Sequence, residues 1–364
     1  MNVTIVGAGI VGCAIAHELA LRGVSVLVLD SRGVGGGATQ ASAGILAPAI
    51  EGHSPSLRRL LQCGLEVYEG FVRRLEAETG AAIEYERSGT LQLALDDTEA
   101  SELAEVARQL ARLNVPHEWL TAADATRLEP MVSPRVTAGL SIVQHGYIVV
   151  GTLLDRLAAA MSKRGVTLER ERVTALEGGG AGTRVVTPTR AIESDAVIVA
   201  AGSWSADLAN RRLNPAPVRP IRGQIVRLRA ARRLMSRVLW GSRCYLVPWR
   251  DGSLLVGATM EDVGFDETAT TAGVRQLLDA GVELLPVLEQ ATFEEVRVGL
   301  RPMATDELPV IGASSVMPQL FYATGHYRNG VLLAPLTATL VADLVVDGRE
   351  REELSVARPA RLGM

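Results

Sequence analysis

Three stretches of this chain hold residues whose types and spacing could do chemistry. Gly7, Gly9 and Gly12 form a G-x-G-x-x-G pattern. Arg301 stands between Leu300 and Pro302 in "VGLRPMATDELPVIG". "GHYRNG", residues 325–330, crowds a histidine, a tyrosine, an arginine and an asparagine between two glycines, directly before the apolar run "VLLAPLTATLVADLVV". The first set suits a pyrophosphate. One glycine permits a tight turn, the next lets backbone approach the phosphates, and the third lets a helix pack close to a strand. The arginine suits a carboxylate, because its planar fork makes bidentate pairs and an apolar, proline-flanked setting gives it little freedom to reach solvent. A structural ion pair would use the same residue, so both readings stand. The crowded loop needs something to face.

The elements that must position these residues are legible around them. "VTIVGAGIVGCAIAHELALRGVSVLVLD" reads as strand, tight turn, helix and second strand, closed by Asp30. A helix N-terminus here would offer free N–H groups and a positive dipole end to phosphates. An acid at the end of the second strand could accept hydrogen bonds from ribose hydroxyls. "GVGGGATQASAGILAP" then packs Gly33, Gly35, Gly36, Gly37 and Gly44 among small residues, which lets backbone amides run along a large flat group. Asp195 to Gly202 reads as a buried strand ending in glycine, a second place for backbone to meet a cofactor.

Helices are expected over 56–79 and 97–113 and in "GTLLDRLAAAMSKRG", and strands over 83–95. "EGGGAG" is expected to be a hairpin loop, and "RCYLVPWRDGSLLVGAT" a hairpin turning at Asp251-Gly252. Pro335 suits a helix whose regular part begins near it. The expected fold class is α/β, with a Rossmann-like domain interrupted by a β-rich α+β domain. The expected division assigns 1–84, 148–218 and 300–364 to the nucleotide domain. It assigns 85–147 and 219–299 to a substrate domain.

Composition narrows the function classes. The 364 residues correspond to about two domains. Hydrophobic residues make up 48% and charged residues 21%, with a net charge of -4, so nucleic acid has no electrostatic footprint. Lys163 is the only lysine and sits at the end of an expected surface helix, which leaves a pyridoxal Schiff base or a P-loop lysine without a candidate. Cys13, Cys63 and Cys244 are few, odd in number and far apart, which argues against a disulfide framework and a zinc site; no metal ligands are expected. The start of the chain lacks a signal-peptide pattern. The apolar run after Gly330 contains Asp343 and ends at Asp347, which reads as too short and too polar for a membrane span. A cytoplasmic location is the default expectation.

Several segments in fixed order resemble the D-amino-acid-oxidase superfamily of FAD enzymes, and within it the glycine oxidases of thiamin biosynthesis. They are "VGAGIVG", "GGGATQASAGILAP", "VIVAAGSWS", "CYLVPW", "VGATMED", "GLRPMATDELPVIG" and "GHYRNGVLLAP". The resemblance covers nearly the whole chain. It implies FAD contacts from Ile10, Val11, Asp30, Ser31, Ala38, Thr39, Ala43, Gly44 and Ile45, beside Gly7, Gly9 and Gly12. It implies that Val173 holds the adenine through its backbone, with Gly202 also near the cofactor. His326, Tyr327, Arg328, Asn329, Gly330, Val331 and Leu332 would wrap the flavin ring. Arg301 and Tyr245 would hold the substrate carboxylate, with Arg328 bordering the site.

The implied reaction is oxidation of glycine, sarcosine or small D-amino acids by hydride transfer, with dioxygen as acceptor. The implied assembly is a homotetramer. Sarcosine oxidases of the superfamily attach flavin through a cysteine after the arginine-proline segment. No cysteine follows Cys244 here, so the resemblance implies non-covalent FAD. Relatives can carry a histidine where Arg243 stands, which leaves substrate preference open. A D-amino-acid dehydrogenase with another electron acceptor, a flavin-binding sensor and a nicotinamide dehydrogenase remain as rival readings.

Overall fold

A computed structural model describes the chain except for residues 51–53, 179–182, 209–215 and 318. The expected first unit is present: β1 (Asn2–Val6), α1 (Ile10–Leu21) and β2 (Ser25–Leu29). β1 and β2 pair in parallel inside a sheet of six described strands, ordered Val310–Ala313, Leu320–Thr324, Ala196–Val199, β1, β2, Thr167–Glu169. Only the Val310–Ala313 strand runs antiparallel to its neighbour in this described set. Both faces of a parallel sheet must be covered, so its strands read as continuous apolar runs. Ile5, Val28, Val197 and Val199 are fully buried accordingly.

The other helices follow as α2 (Pro55–Thr79), α3 (Asp97–Arg112), α4 (Ala122–Leu128), α5 (Val150–Lys163), α6 (Thr271–Leu284) and α7 (Gly330–Asp347). Ser54 caps α2, Asp96 caps α3 and Thr270 caps α6, each side chain accepting a backbone N–H of the first turn. α1, α2, α5 and α7 form one helical layer. α7 is 18 residues long and apolar enough to cross a membrane by length and composition. Its burial against α1 and α2, and not its length, marks it as a core helix.

A second sheet of eight described strands has the order Thr292–Ala304, Val218–Arg229, Ser253–Gly257, Tyr245–Pro248, Val238–Trp240, Thr90–Ala94, Ala138–Ile142, Glu118–Thr121. Alternation sorts its side chains. Val226, Leu246, Leu254 and Val256 pack on α6 through Leu277 and Leu284. Ile225, Val247 and Leu255 face the opposite way, toward Ala43 and Tyr147. The hairpin through Gly252 forms as expected, with φ 86° at that glycine. The tip of the expected "EGGGAG" loop lies outside the described residues, and its flanks Ala175–Gly178 and Thr183–Val186 pair antiparallel. The strand Thr292–Ala304 continues through position 300 without a break.

Pro335 departs from expectation. α7 begins at Gly330, so the proline lies inside the helix rather than at its start. It cannot donate to the carbonyl of Val331 four residues back. Tyr68 of α2 supplies the missing donor, its hydroxyl reaching the Val331 oxygen at 3.2 Å. Gly64, one turn earlier on α2, makes the approach feasible: a Cβ there would stand 3.0 Å from the Leu332 carbonyl oxygen. Tyr68→Phe should therefore leave a buried carbonyl unsatisfied and cost about 1–3 kcal/mol in chemical denaturation. Unchanged stability would show that the proline kink needs no external donor.

Candidate active site

The carboxyl ends of β1 and β2 open onto a cavity of about 760 Å³ that extends to the face of the eight-stranded sheet. Its first wall is the glycine motif. Gly7 has φ 111°, and a Cβ there would collide with the carbonyl of Ala200. Gly12 is buried beneath the turn, where a Cβ would strike the Gly7 carbonyl oxygen. It does not line the cavity, so its expected place among cofactor-contacting residues is corrected to a packing role. Gly9 differs from both. It lines the cavity, its φ is -69°, and a Cβ would meet only Thr39 Oγ1, at an ordinary 3.4 Å. Neither backbone conformation nor packing demands a glycine there; room for a bound group does.

Asp30, Ser31, Ala38 and Thr39 continue this wall, and Ala43, Gly44 and Ile45 extend it toward the second sheet. The Asp30 carboxylate accepts N–H from Ala8 at 2.7 Å, Arg32 at 2.6 Å and Gly33 at 2.9 Å. Its first task is thus to hold the loop after β2, and about one lone-pair site is left for a ligand. Thr39 Oγ1 accepts the Ile10 N–H at 3.1 Å, tying the small-residue segment to the start of α1. Gly44 is demanded by the fold, since a Cβ would collide with the Ile148 carbonyl. Val173 and Gly202 line the opposite side.

The crowded loop forms the next wall. His326 through Leu332 all line the cavity. Tyr327 N–H donates to Pro302 O at 2.8 Å, which fastens the loop to the arginine strand. Tyr327 has φ 49°, and its hydroxyl reaches Met260 Sδ at 3.1 Å. His326 pairs with Thr337 at 3.1 Å, and burial pushes its imidazole down to about 4, so it is neutral near pH 7. The Arg328 guanidinium lies 4.8 Å over the Tyr327 ring. α7 starts here with no side-chain cap.

At the sheet end stand Arg301, Tyr245 and two residues that sequence reasoning missed, Ile225 and Trp240. Trp240 and Tyr245 are direct cross-strand partners with ring centroids 5.1 Å apart. The signal was available: an aromatic on each arm of "VLWGSRCYLVP", at positions that pair once the turn is drawn. Arg301 Nη1 donates to Thr259 O at 2.9 Å, and among the described residues no carboxylate forms an ion pair with it. Neighbouring Arg222, by contrast, is neutralised by Glu261 at 2.5 Å and Asp266 at 2.6 Å. Arg301 therefore keeps an uncompensated positive charge and spare N–H donors against the cavity. Arg243 is turned away from it, paired with Glu283 at 2.9 Å on the exposed side.

FAD fits this cavity on three observations. The open Cβ position at Gly9 faces it, and two helices begin at its wall with no cap from the N-cap residue's own side chain. The wall from Asp30 to Tyr245 is one continuous lining.

Comparison with known proteins agrees. A family described as FAD dependent oxidoreductase matches residues 2–344. A bifunctional protein ThiO/ThiG of Nostoc sp. is 36% identical over 97% of this chain, and the chain spans 54% of that relative's length. A glycine oxidase of Geobacillus kaustophilus is 34% identical over 97% of this chain and 93% of its own. The crystal structure of glycine oxidase from Geobacillus kaustophilus superposes with a TM-score of 0.91, at 32% identity, covering 97% of this chain and 96% of that one. A match running almost from end to end, on a fold with this cavity at its centre, shows that the chain belongs to the FAD dependent oxidoreductases.

Proposed function

We propose that the chain catalyses oxidative deamination of glycine, with sarcosine and small D-amino acids as further substrates. The observation that carries this reading is Arg301, an unneutralised guanidinium that lines the cavity together with Tyr245 and Trp240. Near-full-length similarity to a glycine oxidase supports it. Glycine would lose two electrons and two protons to become the imine of glyoxylate. Hydrolysis of that imine gives glyoxylate and ammonia, and dioxygen takes up the electrons as hydrogen peroxide.

FAD, held along the walls from Gly9 and Asp30 to the His326–Leu332 loop, would supply the two-electron oxidant. The chain's own residues do the rest. Arg301 takes the substrate carboxylate in a charge-assisted pair, and Tyr245 adds a hydrogen bond. Trp240 and Ile225 supply an apolar wall that excludes water and favours a small substrate. Fixing the α-carbon in line is the main catalytic demand, since hydride transfer needs alignment more than a protein base. The start of α7 would offer partial positive charge to FAD, which becomes more electron-rich on reduction.

The same proposal assigns the six-stranded sheet to the cofactor and the eight-stranded sheet to the substrate. It places the enzyme in the cytoplasm as a homotetramer, and its imine product at the entry to thiamin thiazole biosynthesis. Similarity to proteins named ThiO/ThiG supports the last point.

Glycine added without oxygen should bleach the flavin absorbance of the purified protein, and readmitted air should restore it with one peroxide per turnover. Bleaching without peroxide would favour a dehydrogenase that serves another acceptor. Gly9→Val should lower flavin affinity sharply in a chain that stays folded, read as flavin released on dialysis; retained flavin would contradict the cradle. Arg301→Ala should weaken apparent glycine affinity at least about tenfold, or roughly 1.4 kcal/mol, with flavin content preserved. Arg301→Lys should recover only part of this, because an ammonium cannot form the planar fork. Normal glycine kinetics in Arg301→Ala would remove the carboxylate assignment.

A further inference from the structure

Two glycines of the eight-stranded sheet lie directly beneath the residues that face the substrate. Gly223 is in the strand Val218–Arg229 and Gly257 ends the strand Ser253–Gly257. Neither lines the cavity, whereas Arg301 and Tyr245 do. A Cβ at Gly223 would fall within 2.5 Å of Cζ, Nη1 and Nη2 of Arg301. A Cβ at Gly257 would stand 2.5 Å from Cε2, Cζ and Oη of Tyr245. In each case all three nearest atoms belong to the working end of one side chain.

The register explains the overlap. Arg301 is opposite Ile221, and Gly223 is the next residue on the same face. The long arginine side chain reaches diagonally across that position. Gly257 is directly opposite Tyr245. The alternate residues Arg222 and Gln224 point to the other face, where Arg222 bonds Glu261 and Gln224 bonds Thr270. Neither glycine has a φ in the left-handed region. Backbone conformation therefore does not ask for glycine, and no backbone atom is the obstacle. Other glycines of the chain differ: Gly44 and Gly146 would each strike a main-chain carbonyl. A glycine in the interior of a strand commonly marks close approach by something else. Here that something is the side chain that meets the carboxylate.

We propose that Gly223 is a positioning residue for substrate recognition: its missing side chain seats the Arg301 guanidinium on the sheet, with Gly257 seating Tyr245 in the same way. The inference rests on the reading of Arg301 as the carboxylate partner. Arg301 is then held from below by the bare backbone at 223 and from the side by the Thr259 carbonyl at 2.9 Å. A methyl group at 223 would lift the fork off the sheet and into the space the carboxylate must occupy. The fold would tolerate this, because the end of a flexible side chain can move. Recognition would not.

The test compares Gly223→Ala, Arg301→Ala and the double variant, each as FAD-loaded protein. Glycolate, a two-carbon carboxylate without the amine, is titrated by calorimetry alongside glycine turnover. Gly223→Ala should keep its flavin and its melting temperature, while glycolate affinity falls and the KM for glycine rises by about tenfold. In the Arg301→Ala background the same substitution should change glycolate affinity by less than about twofold, since the group it displaces is gone. An undiminished loss in that background would overturn the inference and make Gly223 merely structural. So would wild-type glycolate affinity in the single variant. If Arg301→Ala itself binds glycolate normally, the carboxylate assignment fails instead, and that result is separate. Should Gly223→Ala not fold, Gly257→Ala with and without Tyr245→Ala makes the same comparison at the second seat.

Discussion

Parallel strands commit the helices that follow them to begin at one edge of a sheet, and this constraint governs the molecule. β1 and the strand Leu320–Thr324 flank Ala196–Val199, all three parallel. α1 and α7, which follow the outer two, must therefore start on the same side. They pack against each other, and in neither does the N-cap residue's own side chain bond the first turn. Two positive dipole ends thus meet one cavity, which is a natural setting for phosphates at one end and an electron-rich ring at the other. Everything near them holds that arrangement. Thr39 ties the small-residue segment to α1, Asp30 fixes the loop after β2, and Tyr68 repairs the carbonyl that Pro335 leaves open.

The second sheet answers a different need. A nucleotide wall built from main chain cannot tell one amino acid from another, so discrimination must come from side chains aimed inward. Under the proposed reading, Arg301 and Tyr245 would supply it from strands separated by two others. The segment after Gly257 then crosses back to the nucleotide side. Thr259 bonds Arg301, Phe265 packs on Trp204 with centroids 5.8 Å apart, and Glu267 pairs with Arg32 at 2.5 Å. The two sheets are therefore joined through residues that line the cavity, Arg32, Trp204 and Arg301.

The first unit was legible because its signals are local. Glycine spacing, a helical apolar pattern and a terminal acid all lie within thirty consecutive residues. The inward placement of Arg301 on the cavity wall was legible for a similar reason, since its apolar, proline-flanked setting is visible in three residues. What stayed hidden depends on register between distant strands. Trp240 needed its pairing with Tyr245, and Ile225 needed the alternation of a strand whose partner lies about seventy residues away. Pro335 misled because a proline inside a helix is expensive unless a donor arrives from elsewhere. Tyr68, 263 residues before the Val331 carbonyl it meets, is invisible as that donor in a linear reading. Gly12 shows the reverse: expected also among the cofactor contacts, it only packs the helix, whereas Asp30 lines the cavity and in addition holds its own loop.

The two ends of the cavity also differ in how they can change over generations. The phosphate end is presented largely by peptide groups, which every residue but proline carries unchanged. Substitutions there leave the presenting atoms in place where no side chain fills the space at Gly9 and the backbone does not itself demand glycine, as it does at Gly7, Gly12 and Gly44. Under the proposed reading, the other end relies on a few terminal atoms of Arg301, Tyr245 and Trp240. A single replacement there would alter which amine is accepted without disturbing the oxidant. Such a scaffold is robust in its chemistry and plastic in its diet, and new substrates can be explored one residue at a time while the redox machinery stays intact.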